Sequence, residues 1–234
     1  MIPPTDENPA TPSSSTTPAP LQGVRIIDLS RILAGPICTQ ILGDLGAEII
    51  KIESPQGDDT RTWGPPFHQK QSAYFISANR NKYSVVLDLN KPQSRTVLHD
   101  LLGRSHALIH NFLEPSAEKF GITPSSLEEQ HPQVISCSIT GFGNTGPWKN
   151  RPGYDLIIQA LSGLMSITGH STQQPTKVGF AITDVITGLY AAISILSGLK
   201  GQLNRISTRQ DGTTYRQELS LIHISEPTRP RLIS

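Results

Sequence analysis

At 234 residues and 36% hydrophobic content, the chain is long enough for one large domain or two small ones and apolar enough to close a core. With 20 Lys and Arg against 19 Asp and Glu, the net charge of +1 excludes a bulk charge excess as the means of holding nucleic acid or an anionic membrane. The two cysteines, Cys38 and Cys137, lie in apolar surroundings with no Cys-x-x-Cys or Cys/His ligand spacing, so they read as buried thiols rather than as a disulfide framework or a zinc site.

Residues 1–20 are rich in Pro, Ser and Thr and contain no Lys or Arg. They lack both the basic start of a secretory signal and the arginines of a mitochondrial presequence, and they predict a disordered leader. No apolar run approaches the roughly 20 residues of a membrane span. The expected location is intracellular, cytoplasmic or mitochondrial, with no clear targeting signal.

Order is expected from Leu21. Val24 to Leu29 reads as a short buried strand, Gly35 to Leu45 as a helix and Glu48 to Glu53 as a second strand, which is the spacing of a right-handed βαβ unit. Further strands are predicted at Tyr83 to Leu89, Ala107 to Asn111 and Val134 to Ile139, with helices at Pro92 to Leu102 and Pro124 to Gln130. The pattern is α/β, with a doubly wound, Rossmann-like parallel sheet and flanking helices. After it come a Gly/Pro-rich loop, Thr140 to Gly153, an amphipathic helix from Tyr154 to Leu164, and a longer helix beginning at Asp184. Val185, Leu189, Ala192, Leu196 and Leu199 recur there at helical spacing.

Leu219 to Arg229 resembles the translation of a sequencing-library adapter. Residues 219–234 are therefore expected to be a non-native tail, with the native contribution ending near Glu218.

Gly141-Phe-Gly143-Asn-Thr-Gly146 fits G-x-G-x-x-G after a predicted strand. A dinucleotide site needs those glycines to open a helix, however, and Pro147 to Pro152 reads as a loop. The seven histidines are scattered without metal-ligand or triad spacing, and His110 and His170 read as structural or surface residues. No metal site is expected. Asp184 differs from the other acids because apolar residues precede it and an amphipathic helix follows. A carboxylate at that place is expected to meet unpaired helix N–H groups, which stabilise the ionised form, although Asp is also an ordinary N-cap.

Several segments, in order, resemble the class III (CaiB/BaiF, formyl-CoA transferase-like) CoA-transferase family over Leu21 to Leu203. They are Leu29 to Pro36, Leu42 to Glu53, Asn79 to Lys82, Ser138 to Gly143, Gly153 to Gly163 and Ile182 to Gly188. Asp58 to Phe67 and Gly163 to Gly169 are similar to the branch that moves coenzyme A from succinyl-CoA to glutarate. The resemblance implies transfer of coenzyme A from an acyl-CoA donor, succinyl-CoA, to glutarate or another short dicarboxylate. Asp184 would be the nucleophile and would pass through an aspartyl-CoA thioester. It also implies that no cofactor is permanently bound, the CoA thioester being the substrate.

The family's CoA-contacting positions fall on Arg31, Leu33, Ala34, Leu87, Asn90, Asn111, Phe112 and Lys119. Arg31 and Lys119 suit phosphates. Some members carry glutamine at the position of Leu33, so a side-chain oxyanion contact is lost here. Arg61 is a candidate partner for the distal carboxylate of a dicarboxylate, with an ion pair to Asp58 or Asp59 as the alternative. Full members carry a second domain and a returning C-terminal segment and form an interlocked homodimer, so this chain is expected to be an N-terminal fragment. Two rivals remain. An α-methylacyl-CoA racemase would place a histidine where Tyr154 stands, and an inactive fragment would bind CoA without turnover.

Overall fold

A computed structural model describes residues 18–171, 173–208 and 216–220. Just ahead of Leu21, where order is expected to begin, the Ala19 carbonyl accepts from the Gln22 N–H at 2.9 Å in a turn that leads into the first strand.

In chain order the elements are β1 (Arg25–Asp28), α1 (Ala34–Asp44), β2 (Glu48–Glu53), the two-residue strands β3 (Phe67–His68) and β4 (Gln71–Ser72), α2 (Ala73–Asn79), β5 (Lys82–Val86), α3 (Pro92–Leu102) and β6 (Ala107–His110). They continue with α4 (Glu114–Phe120), α5 (Pro124–Gln130), β7 (Ile135–Thr140), α6 (Asp155–Leu161), α7 (Leu164–Thr168), α8 (Ile182–Thr208) and β8 (Arg216–Ser220). A 3-10 turn, Asp59–Thr62, follows β2 and is capped by the Asp58 side chain.

Six strands form one parallel sheet in the order β5-β2-β1-β6-β7-β8. The chain winds outward from β1 through β2 to β5, returns to β6 on the other side of β1, and continues to β8. The change of direction lies between β1 and β6, and a crevice opens at such a point beyond the carboxyl ends of the strands. Neighbouring residues of β1 face opposite sides. Ile26 packs with Cys38, Leu42, Ala191 and Ile195 under α1 and α8, and Ile27 packs with Leu98, Leu102, Ala117 and Leu127 under α3, α4 and α5. Both cysteines are buried free thiols, and burial pushes Cys137 up to about 12.

Gly188 lets α8 cross close to α1: a Cβ built there would stand 2.6 Å from the Ala34 carbonyl oxygen. The helix expected over Tyr154 to Leu164 divides at Gly163, which takes φ +82 and separates α6 from α7. Among the described residues, α8 is long and apolar enough over Ile182–Leu203, at mean hydropathy 1.6, to cross a membrane by length and composition, contrary to the reading of the sequence. Interspersed Ser, Thr and Gly hide the stretch from a search for unbroken apolar runs. Half of it is buried, with Ala191, Ala192, Ile195 and Leu199 in the core.

β8 runs across the expected boundary at Glu218. Its register against β7 continues through Leu219 opposite Ile139 and Ser220 opposite Thr140. Such pairing uses backbone groups, which a composition argument does not see. The rest of the expected tail, 221–234, and the leader as far as residue 17 lie outside the described residues.

Candidate active site

Three loops at the carboxyl ends of β1, β6 and β7 converge at the switch point and enclose a cavity of about 280 Å³. Arg31, Leu33 and Ala34 line it from the first loop, Asn111 and Phe112 from the second, and Thr140 and Gly141 from the third. Gly153, Tyr154 and Asp184 also line it. Gly141 and Gly153 meet backbone to backbone, and a Cβ on Gly141 would lie 2.6 Å from the Gly153 Cα, so only glycine lets the long loop fold back here. Gly143 and Gly146 both take φ near +81, and the segment after them runs on as turns until α6 without opening a helix at the motif.

The β1 loop is unusual in its backbone. Ile32 has φ +71, a left-handed conformation that a β-branched residue adopts only under constraint. Asn111 supplies part of that constraint: its Oδ1 accepts from the Arg31 N–H at 3.1 Å and its Nδ2 donates to the Arg31 carbonyl at 2.9 Å. The Asn111 side chain is therefore spent on bracing the loop and acts on the cavity through it.

Asp184 is the third residue of α8 and is 9% exposed. The expectation that its carboxylate meets the free N–H groups of the helix is overturned. Asp155, at the start of α6, takes that place: its Oδ1 accepts from the Thr183 N–H at 2.8 Å and the Thr183 hydroxyl at 2.6 Å. Its Oδ2 accepts from Gln159 Nε2 at 2.6 Å, and Gln159 Oε1 in turn accepts from the Val178 N–H at 2.8 Å. Among the described residues no donor reaches the Asp184 carboxylate. Burial first, and the Asp155 charge second, push it up to about 7, where the sequence had suggested depression.

Tyr74 on α2 was not singled out in the sequence. Burial, then the charges of Asp184, Asp155 and Asp58, push its phenol up to about 12, so it stays a hydroxyl donor in the electrostatic reach of the site. Tyr74 carries no local signal of its role, and the role of Asp155 at the start of α8 rests on Thr183, 28 residues later in the chain.

A second cavity, of about 140 Å³, is lined by Leu87, Asn90, Lys51 and Asp58 and shares Arg31 and Phe112 with the first. Seven of the eight positions singled out for a CoA ligand thus follow one path from Asp184 through both cavities. Lys119 lines neither; its Nζ donates to Asn90 Oδ1 at 2.6 Å, at the far end of that path. Arg31 is exposed and pairs with Asp59 at 3.1 Å.

Arg61 is committed elsewhere. It forks onto Glu53 at 2.7 and 2.6 Å and stacks over the Phe75 ring at 3.9 Å, so its guanidinium is taken up by a partner that neither of the two expectations for it, a substrate carboxylate or a pair with Asp58 or Asp59, had named. Burial would push Glu53 up, but the Arg61 fork, the Ser84 hydroxyl and the Asp58 N–H outweigh it and hold the carboxyl near 2. His110 is buried, its Nδ1 accepts from the Phe112 N–H at 3.3 Å, and burial lowers it to about 4, consistent with a structural role.

Residues 21–214 match the model of CoA-transferase family III. The chain is similar to the succinyl-CoA:glutarate CoA-transferase of Mus musculus, with 46% identity over 77% of this chain and 42% of that protein. It is also similar to the succinate–glutarate CoA-transferase of Agrobacterium fabrum, with 44% identity over 77% of this chain and 47% of that protein. Among solved structures, a CaiB/BaiF family protein from Brucella suis superposes with a TM-score of 0.79 at 42% identity, over 88% of this chain and 54% of that one. The chain thus spans about half the length of the relatives it matches. With the family model covering most of its residues and this likeness in both sequence and fold, the chain belongs to CoA-transferase family III.

Proposed function

We propose that the protein transfers coenzyme A from succinyl-CoA to glutarate or another short dicarboxylate, with Asp184 as the nucleophile. One observation carries this reading: among the described residues Asp184 is the single carboxylate lining the cavity, and none of the hydroxyls around it, those of Ser116, Thr140 and Tyr154, has a histidine beside it in that lining to act as its base. A buried carboxylate with raised proton affinity is a stronger nucleophile once ionised, because it is less solvated and more basic. The names of the relatives support the donor and acceptor, and the run from Asp58 to Phe67 supports the same branch.

In the first step an Asp184 oxygen attacks the thioester carbonyl. The carbon–sulfur bond breaks, CoA thiolate leaves, and a mixed anhydride of Asp184 and succinate remains. The thiolate then attacks the aspartyl carbonyl, succinate leaves as its carboxylate, and an aspartyl-CoA thioester forms. The acceptor carboxylate attacks that thioester and expels the thiolate, which then attacks the acceptor carbonyl of the second anhydride and frees Asp184. One thioester is broken for each one made, so the cycle is energetically balanced. The Tyr74 hydroxyl, in the electrostatic reach of Asp184, is a donor proposed to meet the developing oxyanions.

The test is to incubate the protein with succinyl-CoA, trap with hydroxylamine, and locate the modified peptide. Label at Asp184, with exchange of labelled succinate into succinyl-CoA, is the expected result. Loss of both in Asp184→Asn, by several orders of magnitude, should accompany it. Trapping at another carboxylate, or α-proton exchange of a 2-methylacyl-CoA without CoA transfer, would replace this reading with another.

A further inference from the structure

The segment from Ser30 to Pro36, which carries Arg31, Leu33 and Ala34 into the cleft, is held at both ends by buried ammonium groups. The Ser30 carbonyl accepts from Lys51 Nζ at 2.8 Å, and the Pro36 carbonyl accepts from Lys82 Nζ at 2.9 Å. Each ammonium has its own aspartate, Lys51 with Asp58 at 3.0 Å and Lys82 with Asp28 at 3.2 Å, and all four side chains are 2% exposed or less. Asp28 accepts from the Ser30 N–H at 2.9 Å and from the hydroxyls of Ser30 and Thr39 at 2.5 Å each. Asp58 Oδ1 accepts from the Thr60 N–H and hydroxyl at 3.0 and 2.7 Å and lies 3.5 Å from the Ile32 N–H, the residue in the left-handed conformation. Among the described residues its other oxygen accepts no hydrogen bond and meets Lys51 as an ion pair only.

Two buried ion pairs are a costly way to stabilise a core, since well-packed apolar residues of similar volume usually serve as well or better. An apolar pair cannot, however, hold a carbonyl and an amide of one loop at fixed points. Lys51 and Asp58 do this while also lining the second cavity, beside Arg31.

We propose that Lys51 and Asp58 are a positioning pair: together they fix the Ser30 carbonyl and the Ile32 amide, hold the β1 loop in its strained turn, and so shape the cleft for acyl-CoA. The proposal rests on the reading of the cleft as an acyl-CoA site. It assigns the pair to ligand binding, with little share in the stability of the fold.

The double variant Lys51→Met with Asp58→Asn removes both charges together and leaves neither one unpaired. Three measurements are made on wild type and variant: the melting temperature, amide hydrogen exchange, and calorimetric binding of CoA. The variant is expected to melt within about 5 °C of wild type, as neutral replacement of a buried pair allows. Exchange at residues 31–34 should rise about tenfold or more while Leu108 and Ile109 of β6 stay protected. The CoA dissociation constant should rise by about tenfold or more. Native protection of the loop with unchanged affinity would overturn the proposal, and so would loss of protection throughout the sheet, which would make the pair a general stabiliser. If wild type binds no CoA, the reading of the cleft fails, and the exchange at residues 31–34 still decides whether the pair positions the loop.

Discussion

Replacing Asp184 by Asn should abolish transfer and yet make the protein more stable at alkaline pH. The carboxyl moves from an ordinary 3.8 to about 7 on folding, because burial and the Asp155 charge both disfavour its ionised form. In the unfolded chain it ionises near 3.8 and in the folded chain near 7, so between those values the folded state holds the extra proton. The sign is therefore that the favourable contribution is complete below about pH 4 and is lost as pH rises through 7. Wild type should lose about 1.4 kcal/mol of stability per pH unit relative to the Asn variant across that window. The full difference at pH 8 is about 4 kcal/mol, an upper figure. Asn keeps the volume and cannot ionise, so it escapes the penalty. The assay is urea unfolding of both proteins from pH 4 to pH 8, with the midpoints and slopes compared. Equal stability at pH 8, or a difference as large at pH 4 as at pH 8, would refute the account of a buried, unsolvated carboxylate.

Asp155→Asn keeps an oxygen to accept from Thr183 but removes the like charge, so the acid limb of the rate profile should move below about 7; an unmoved limb would show that burial alone sets it. Gly188→Ala should destabilise by about 1–3 kcal/mol in thermal unfolding, because its Cβ meets the backbone carbonyl of Ala34, which no rotamer change can relieve. Arg61→Lys loses the fork to Glu53 and the stacking on Phe75, and should lower stability by about 1 kcal/mol while leaving the KM for glutarate unchanged; a large rise in that KM would return Arg61 to the substrate site. Uninterrupted genomic sequence encoding 219–234 followed by a stop codon would reject the adapter origin proposed for that segment.

Elements whose limits are marked by nearby residues were legible in the sequence. β2, α3 and α5 have the bounds expected, because α3 and α5 open on Pro92 and Pro124 and the apolar run of β2 sits between turn residues. The parallel α/β class and the ordered motifs of the family were readable for the same reason. α2 and α4 were not, since each, like α5, has seven residues and buries only one or two side chains, too few to set a helical period, and neither has a proline as its first residue to mark its start. β8 escaped because its place is set by pairing with β7, some 80 residues earlier in the chain.

The site divides in the same way. The resemblance to the family, readable in the sequence, singled out Asp184 and seven of the positions that line the two cavities. Only the tertiary structure decided how Asp184 ionises: Asp155, 28 residues before Thr183 in the sequence, takes the Thr183 N–H at the start of the helix, where Asp184 was expected to find its donors, and packing shuts out solvent. It likewise decided that Arg61 is spent on Glu53 and that Ile32 is strained between Asn111 and Asp58. Local patterns determine which residues are available near a loop or a helix end, whereas the charge state of a carboxylate depends on desolvation and on partners that only the folded chain brings near.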